Sequence, residues 1–191
     1  TMMKAAVQAK TEGICQPILL GNPDRLNRLA QRLKLDLSDI EIVDMRADQE
    51  QGRRATYAKH LAKKRARQGY NFEEAYDKMY ERNYFGMMMV ETGEADAFIT
   101  GLYTKYSNTI KVAKEVVGIR PEYKTFATMH ILNTKKGTFY IADTLINRHP
   151  DENVLMDVAK LSAHTVQFFN EEPHIAMISY SNFGTDEVGS P

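Results

Sequence analysis

A polar loop between an apolar segment and a helical segment holds the residues best suited to bind an anion. The apolar residues 95–99 (ADAFI) lead into TGLYTKYSNT, and residues 110–117 then read as helix. The loop and the following turn offer neutral donors and two lysines: Thr100, Tyr103, Thr104, Tyr106, Ser107, Asn108, Lys105 and Lys111. Because backbone N–H groups at a helix start also attract anions, the pattern predicts a cradle for a phosphate or carboxylate. Alternatively, the polar residues only cap the helix, with Asn108 or Thr109 as the cap.

Two further polar loops follow predicted strands, at residues 143–149 and 179–185. Their polar side chains include Asp143, Asn147, Ser179, Ser181 and Asn182. Ligands of open α/β sheets bind outside the carboxyl ends of the strands, so the three loops would line one crevice if their strands are neighbours. Asp143 is then a candidate acid, although a strand-end aspartate that caps a turn fits the pattern as well.

The remaining motifs carry weaker signals. The basic run KKRARQ (63–68) could bind phosphate or simply face solvent, but Arg65 follows Leu61 by four residues and could turn inward. The five histidines have no metal-ligand spacing, and the chain contains neither GxGxxG nor a P-loop. His130 is expected to be a packed strand residue rather than a base. We expect the core to include Tyr80, Tyr84, Phe85, Met87, Met88 and Met89.

The elements that must position these residues alternate between helix and strand. Helices are predicted over 2–12, after Asn22 and Pro23, and over 53–68, 71–92, 110–117 and 150–170. Strands are predicted over 15–22, 40–45, 95–101, 124–133, 138–143 and 174–181. Asn71 and Glu74 form a possible capping box, and TKKG marks a hairpin between the fourth and fifth strands. The alternation predicts an α/β layered protein with a mostly parallel sheet.

Composition narrows the class of protein. The 191 residues are 43% hydrophobic and carry no net formal charge, which indicates a packed domain and argues against nucleic acid as a partner. Cys15 is the single cysteine, so an intrachain disulfide is excluded and a reducing, cytoplasmic compartment is expected. No apolar run reaches the roughly 20 residues that a membrane helix needs. Both ends of the sequence suggest a piece of a longer protein.

Several motifs resemble one family. EGICQPILLGN, KRARQGYNFEEA, GEADAFITG with NTIKVAKEVVG, and FYIADTLINRHPDENVLMDVAKLSAHTVQFF are similar to the phosphate acetyltransferase and butyryltransferase family. The ending ISYSNFG more narrowly resembles the phosphotransacetylase-like C-terminal domain of bacterial NADP-dependent malic enzymes. The resemblance implies an isocitrate/isopropylmalate dehydrogenase-like, two-lobed, three-layer α/β sandwich. Incomplete lobes are then expected at residues 1–105 and 106–191, the second with a hairpin.

The resemblance also implies the ligand, which is acetyl-CoA or CoA with its phosphates. Arg65 matches one family arginine, but Lys111 stands at the position of a second, and Lys105 with Tyr106 replaces a small Ser-Thr pair. These departures weaken catalysis more than binding, so no catalytic residue or metal site is assigned. The expected ligand-binding set is Arg65, Thr100, Gly101, Thr104, Lys105, Tyr106, Thr109, Lys111, Asp143, Asn147, Ser179, Ser181 and Asn182.

Three functions follow as alternatives. The first is an acetyl-CoA-sensing regulatory and oligomerisation domain of a malic enzyme that decarboxylates malate to pyruvate. NADP and a divalent metal would then bind only in malic-enzyme domains outside this sequence, and the partners would be that domain in cis and further copies of the chain. The second is a working phosphate acetyltransferase. The third is a purely structural assembly module built on the Met- and Tyr-rich helix 71–92.

Overall fold

The chain forms two compact units, Thr1–Gly118 and Ile119–Pro191. The structure, a computed structural model, describes residues 2–101 and 104–178. The predicted division lies between residues 105 and 106, whereas the helix that follows the anion loop belongs to the first unit here.

The first unit contains six helices and two short strands within its described residues. In chain order they are α1 (Met2–Thr11), β1 (Ile18–Leu20), α2 (Pro23–Leu33), β2 (Glu41–Val43), α3 (Gln51–Arg65), α4 (Phe72–Lys78), α5 (Arg82–Glu91) and α6 (Tyr106–Val116). Short 3₁₀ turns, Asp48–Glu50 and Ala66–Gln68, flank α3. β1 and β2 pair in parallel, with Leu19 opposite Ile42. The predicted α/β alternation is therefore confirmed, and these two strands pair in parallel as predicted. Within the described residues, however, they form a two-stranded sheet and not the larger, mostly parallel sheet that was predicted.

Local sequence signals fix several helix ends. The Asn22 side chain accepts a hydrogen bond from the Arg25 N–H, with Pro23 at the first position of α2. Asn71 and Glu74 form the predicted capping box at the start of α4. Each residue type can accept or donate at a helix start without help from distant residues. These predictions are therefore confirmed.

The predicted single helix 71–92 is wrong, because it is two helices. The N–H groups of Met79, Tyr80 and Glu81 bond to carbonyls three residues back, at 3.0, 3.2 and 2.9 Å. This tighter spacing ends α4, and α5 begins at Arg82.

Residues 95–101 do not form the predicted strand. Phe98 instead packs directly on α5 at Gly86, where an added Cβ would lie 2.3 Å from the Phe98 ring. Phe98 therefore packs on a helix and not in a sheet, while Ala97 and Ile99 are exposed.

The core of the first unit confirms the prediction for Tyr84, Phe85 and the three methionines 87–89, but the prediction is wrong for Tyr80, which is only half-buried. Buried residues of this cluster include Tyr57, Leu61, Met79, Tyr84, Phe85, Met87, Met88, Met89, Val112 and Val116. The rings of Tyr57 and Phe85 meet edge to face, with centroids 5.1 Å apart. Because these side chains fill the core, they give no support to an assembly surface on residues 71–92.

The second unit contains a hairpin and one helix within its described residues. They are β3 (Met129–Thr134), β4 (Gly137–Ala142) and α7 (Glu152–Phe168). The antiparallel register pairs Leu132 with Phe139, which confirms the predicted hairpin. His130 lies in β3 but is exposed and contacts Thr144 Oγ1 at 2.7 Å, so the expectation of a packed histidine is wrong.

The last predicted strand, residues 174–181, falls at the end of this unit. Residues 174–178 do not form the predicted strand, and 179–181 lie outside the described residues.

Within the described parts of the chain, the helices are too short or too polar to cross a membrane.

Candidate functional site

The predicted anion loop lies at the start of α6, and that helix begins earlier than expected. Lys105 occupies the N-cap position without a side-chain capping bond. Asn108 and Thr109 lie inside the helix, and their N–H groups bond to the Lys105 carbonyl at 3.0 and 3.4 Å. The alternative that either residue is the helix cap is therefore wrong.

Three hydroxyls of the loop, those of Thr100, Thr104 and Thr109, have partners within the first unit. Thr100 Oγ1 donates to Asn83 Oδ1 of α5 at 2.8 Å, and Thr104 Oγ1 lies 3.3 Å from Thr109 Oγ1. Thr104, Lys105 and Tyr106 are exposed, as is Gly101. Tyr103 lies outside the described residues. The loop therefore presents several solvent-accessible donors beside the first N–H groups of a helix.

Lys111 lies in the second turn of α6 and points mainly to solvent. Its side chain is 68% exposed, and its Nζ lies 3.9 Å from Glu115 Oε1 on the next turn. An exposed pair at this separation contributes little to stability. The ammonium group is consequently accessible to a ligand.

Arg65 turns inward, as its spacing from Leu61 allowed, but its partners are backbone carbonyls. Nε and Nη2 donate to the carbonyls of Glu115 and Lys114, each at 2.5 Å. These carbonyls belong to the last turn of α6, where the helix dipole favours a cation. The rest of the basic run, Lys63, Lys64, Ala66, Arg67 and Gln68, is exposed, as expected for a solvated face.

Glu115 links the two predicted cations, and the sequence analysis did not single it out. Its backbone carbonyl accepts from Arg65, and its carboxylate faces Lys111. The same carboxylate accepts the phenol hydrogens of Tyr70, at 2.5 Å, and of Tyr84. The i,i+4 spacing between Lys111 and Glu115 was the available sequence signal.

The surroundings of Glu115 keep it ionised. Burial alone would raise its pKa, but the Tyr70 and Tyr84 hydrogen bonds and the charges of Lys78 and Lys111 outweigh burial and lower the pKa. Burial, reinforced by the hydrogen bond to Glu115 and its negative charge, raises the pKa of Tyr70 to about 12. The two phenols therefore stay protonated donors at neutral pH.

Asp143 and Asn147 lie together in the second unit, where Asp143 organises a turn. Asp143 Oδ1 accepts from the Thr128 hydroxyl at 2.6 Å and from the N–H groups of Thr128 and Leu145 at 3.1 and 3.3 Å. Oδ2 accepts from the N–H and the side-chain amide of Asn147, at 2.7 and 2.6 Å. The turn-capping alternative therefore describes the contacts of Asp143.

These bonds also set the charge state of Asp143. Burial opposes ionisation, but the hydrogen bonds from Thr128, Asn147 and Leu145 lower the pKa of Asp143 to about 2. The carboxylate is an acceptor at neutral pH and holds no proton to donate. The remaining predicted site residues, Ser179, Ser181 and Asn182, lie outside the described residues.

A second arginine that sequence reasoning missed lies in the core of the first unit. Arg54 is 2% exposed and donates from Nη1 to the carbonyls of Met45 and Ala47, both at 2.7 Å. Its guanidinium also lies 4.6 Å from the centroid of the Tyr80 ring. Arg54 precedes Ala58 and Leu61 at helical spacing, so its position on the buried face of α3 was visible in the sequence.

No metal site accompanies these residues in the described ranges. Over residues 2–101 and 104–178, no group of three or more His, Cys, Asp or Glu side chains could hold a metal ion.

The sequence resembles curated proteins of two kinds. It is 33% identical over 193 residues to the NADP-dependent malic enzyme of Escherichia coli (strain K12), covering 99% of this chain and 25% of the relative. It is 30% identical over 190 residues to the phosphate acetyltransferase of Thermoanaerobacterium thermosaccharolyticum, covering 96% of this chain and 56% of the relative. The chain thus spans only a part of each of these relatives.

Solved structures and a family model give the same assignment. The EutD phosphotransacetylase from Staphylococcus aureus matches with a TM-score of 0.76 at 26% identity, over 97% of this chain and 55% of that one. A phosphotransacetylase from Streptococcus pyogenes matches with a TM-score of 0.77 at 25% identity, over 96% and 55%. The family model for phosphate acetyl/butaryl transferase matches residues 1–190. The resemblance read from the motifs is confirmed: this phosphotransacetylase-like chain belongs to the phosphate acetyl/butaryl transferase family.

Proposed function

We propose that this chain is an acetyl-CoA-binding regulatory and oligomerisation domain of an NADP-dependent malic enzyme, and that it is not itself a catalyst. The ligand would be CoA or its acetyl thioester, as its family implies. In this proposal the NADP and divalent-metal sites belong to malic-enzyme domains in cis, the assembly is a homo-oligomer, and the location is cytoplasmic. The complete fold would be the isocitrate/isopropylmalate dehydrogenase-like sandwich.

The observation that supports binding over catalysis is the arrangement of the two cations. Arg65 uses Nε and Nη2 on the carbonyls of α6, so this bidentate edge of the guanidinium is already occupied and is not offered to the phosphate that attacks the thioester in acetyl transfer. Lys111 is exposed, but an ammonium is a point charge without that fork. Such a site can attract the phosphates of acetyl-CoA without being shaped for the transition state of acetyl transfer to phosphate.

The loop supports the same conclusion. Tyr106 is 45% exposed at the first position of α6, beside Lys105. A tyrosine and a lysine fill more space than the small pair that the family resemblance leads one to expect there. We propose that the ligand-binding set contains Thr100, Gly101, Thr104, Lys105, Tyr106, Thr109 and Lys111. Arg65, Asp143, Asn147, Ser179, Ser181 and Asn182 remain predicted members.

The test is calorimetric titration of the full-length protein with acetyl-CoA. We expect saturable binding, and Lys111→Met should weaken it about tenfold, since a charge-assisted contact to a phosphate is lost. Lys59→Met is the matched control, because Lys59 is an exposed lysine of α3 that is not in the predicted ligand-binding set. Absence of binding at millimolar acetyl-CoA, or equal weakening by both variants, would overturn the proposal.

Regulation has its own measurement. The rate of NADP-dependent malate oxidation by the full-length protein should change when acetyl-CoA is added, and Lys111→Met should shift that response to higher ligand concentration. A malate-oxidation rate that acetyl-CoA leaves unchanged at saturation would contradict the regulatory role while leaving binding intact.

The second candidate function is a working phosphate acetyltransferase. It is favoured by the 30% identity to such an enzyme over 96% of the chain. Acetyl phosphate formation from acetyl-CoA and phosphate distinguishes the two functions. We expect none; sustained turnover that Arg65→Ala abolishes would reverse the order of the two candidates.

A further inference from the structure

A half-buried network joins the end of α6 to the rest of the first unit. It consists of Tyr70, Lys78, Tyr84, Lys111 and Glu115, and we call it the Glu115 network. The Glu115 side chain is only 16% exposed. Both phenols donate to the same oxygen, Oε2, and Lys78 Nζ lies 3.8 Å from that oxygen. Hydrogen bonds to an ionised acceptor are roughly twice as strong as those between neutral groups. The bonds from the two phenols therefore anchor Glu115, and with it α6, to the rest of the first unit.

The two lysines of the network differ in where their charge is directed. Lys78 is 26% exposed, donates to the Tyr84 hydroxyl at 3.1 Å, and lies 4.7 Å from the centroid of that ring. Its charge is balanced inside the unit by Glu115. Lys111 meets the other oxygen, Oε1, and stays mostly in solvent. Within the network, the charge of Lys78 is therefore neutralised, and the charge of Lys111 is exposed to solvent.

The backbone of the same helical turn is held from α3. Arg65 bonds to the carbonyls of Lys114 and Glu115, and the chain then leaves α6 through Gly118. An added Cβ at Gly118 would lie 2.8 Å from Arg65 Nη2, and its φ of +84° favours glycine. Side chain and backbone together fix the C-terminal end of the helix whose N-terminal end carries the anion loop.

We propose that Glu115 is a positioning residue of the anion site: it anchors α6 through Tyr70 and Tyr84 and holds Lys111 where an anionic thioester nucleotide can reach it. Glu115 does not touch the ligand. The proposal rests on the acetyl-CoA binding proposed above and adds a residue that the family resemblance did not single out.

A carboxylate beside Lys111 also has an opposite effect, because it competes with an anionic ligand for the ammonium group. The contacts decide between the two. The Lys111–Glu115 pair is exposed on the lysine side and 3.9 Å long, so it competes weakly. The phenol bonds are short and partly buried, so losing the charged acceptor disturbs the anchor more. Removing the charge should therefore weaken ligand binding.

The first measurement does not depend on the ligand. Glu115→Gln in the full-length protein should raise the amide hydrogen exchange rates of α6 by about tenfold, while those of α1 stay unchanged. The variant Tyr70→Phe/Tyr84→Phe keeps the carboxylate and should raise the same rates. Exchange rates in α6 that match the wild type in both variants would refute the anchor.

The second measurement is a double-mutant cycle by calorimetry with acetyl-CoA, at a temperature where all variants are folded. Glu115→Gln should weaken binding about three- to tenfold in the wild type and less than twofold in Lys111→Met, because it acts through Lys111. Tighter binding, an unchanged Kd with a lower Tm, or equal effects in both backgrounds would overturn the positioning role. If the wild type itself binds no acetyl-CoA, the proposed function fails, and with it the positioning role; the exchange data still test the anchor.

Discussion

Glu115 in the first unit and Asp143 in the second are both partly buried carboxylates with lowered pKa values, yet they are satisfied by different groups. Asp143 accepts five hydrogen bonds, all from neutral donors, and three of these are backbone N–H groups. Glu115 accepts two phenol hydrogens and faces two lysines. The Asp143 carboxylate therefore stabilises a turn, and the Glu115 carboxylate pairs with positively charged side chains.

The difference separates a carboxylate that organises a turn from a carboxylate that is surrounded by charged groups. Around Asp143 the neighbouring donors all bond to the carboxylate, and the carboxylate is ionised at neutral pH. Around Glu115 the positive charges exceed the negative one, and the surplus ammonium of Lys111 is exposed. A partly buried carboxylate with cationic partners can therefore sit beside an exposed ammonium group, as Glu115 does, whereas Asp143 is surrounded by neutral donors.

Removing Asp143 is expected to have the largest effect. Asp143→Ala should lower the free energy of unfolding by about 2–3 kcal/mol, because five donors lose their acceptor in a half-buried turn. Urea denaturation followed by circular dichroism measures this change. Asp39→Ala is the control, since that side chain is 85% exposed, and it should cost less than about 0.5 kcal/mol. Equal losses would mean that the bonds to Asp143 contribute nothing specific.

Lowering the pH should remove the stabilisation that ionised Asp143 provides. The pKa of Asp143 falls from 3.8 to about 2 in the folded chain, so its stabilisation is complete above pH 5 and is lost as the pH falls towards 2. Between pH 5 and pH 2 the wild type should lose about 1 kcal/mol more than Asp143→Asn, a value reduced for partial solvation. Parallel pH profiles of the two proteins would contradict this assignment.

Breaking one bond of the Glu115 network should have a moderate effect. Tyr84→Phe removes one phenol donor and should lower the free energy of unfolding by about 1 kcal/mol. In a Glu115→Gln background the same substitution should cost clearly less, because its charged partner is gone. Denaturation of the four proteins of this cycle gives the coupling; strict additivity would show that Tyr84 acts independently of Glu115.

The smallest stability effect should belong to Lys111, the cation that we propose contacts the ligand. Lys111→Met should change the free energy of unfolding by less than about 0.5 kcal/mol, because its pair with Glu115 is long and exposed. Lys78→Met should cost more, about 1 kcal/mol, since Lys78 lies over two rings and pairs inside the unit. Thermal or urea unfolding compares them, and the reverse order would remove the distinction between inner and outer lysine.

The sequence predicted the elements whose causes are local. The caps at Asn22 and Asn71 and the hairpin at residues 129–142 all follow from neighbouring residues. The same reasoning failed for 95–101, where an apolar run reads as a strand. Its partner proved to be Gly86 of α5, and a single sequence does not show that an apolar run will meet a helix and not a strand.

The candidate site divides in the same way. The polar loop, Lys111 and the inward turn of Arg65 were visible in the sequence, since each depends on residue type and helical spacing. The partners of Arg65 and the role of Glu115 were not, because their contacts join residues 31 to 50 positions apart.

The sequence by itself determined that this chain is an α/β protein of its family with an anion-suited loop at a helix start, since composition, caps and motifs act over short distances. Only the tertiary structure decided which charged side chains pair with groups inside the protein. Packing α6 against α5 brought Glu115 to two tyrosines and Lys78, turned Arg65 onto backbone carbonyls, and left Lys111 in solvent.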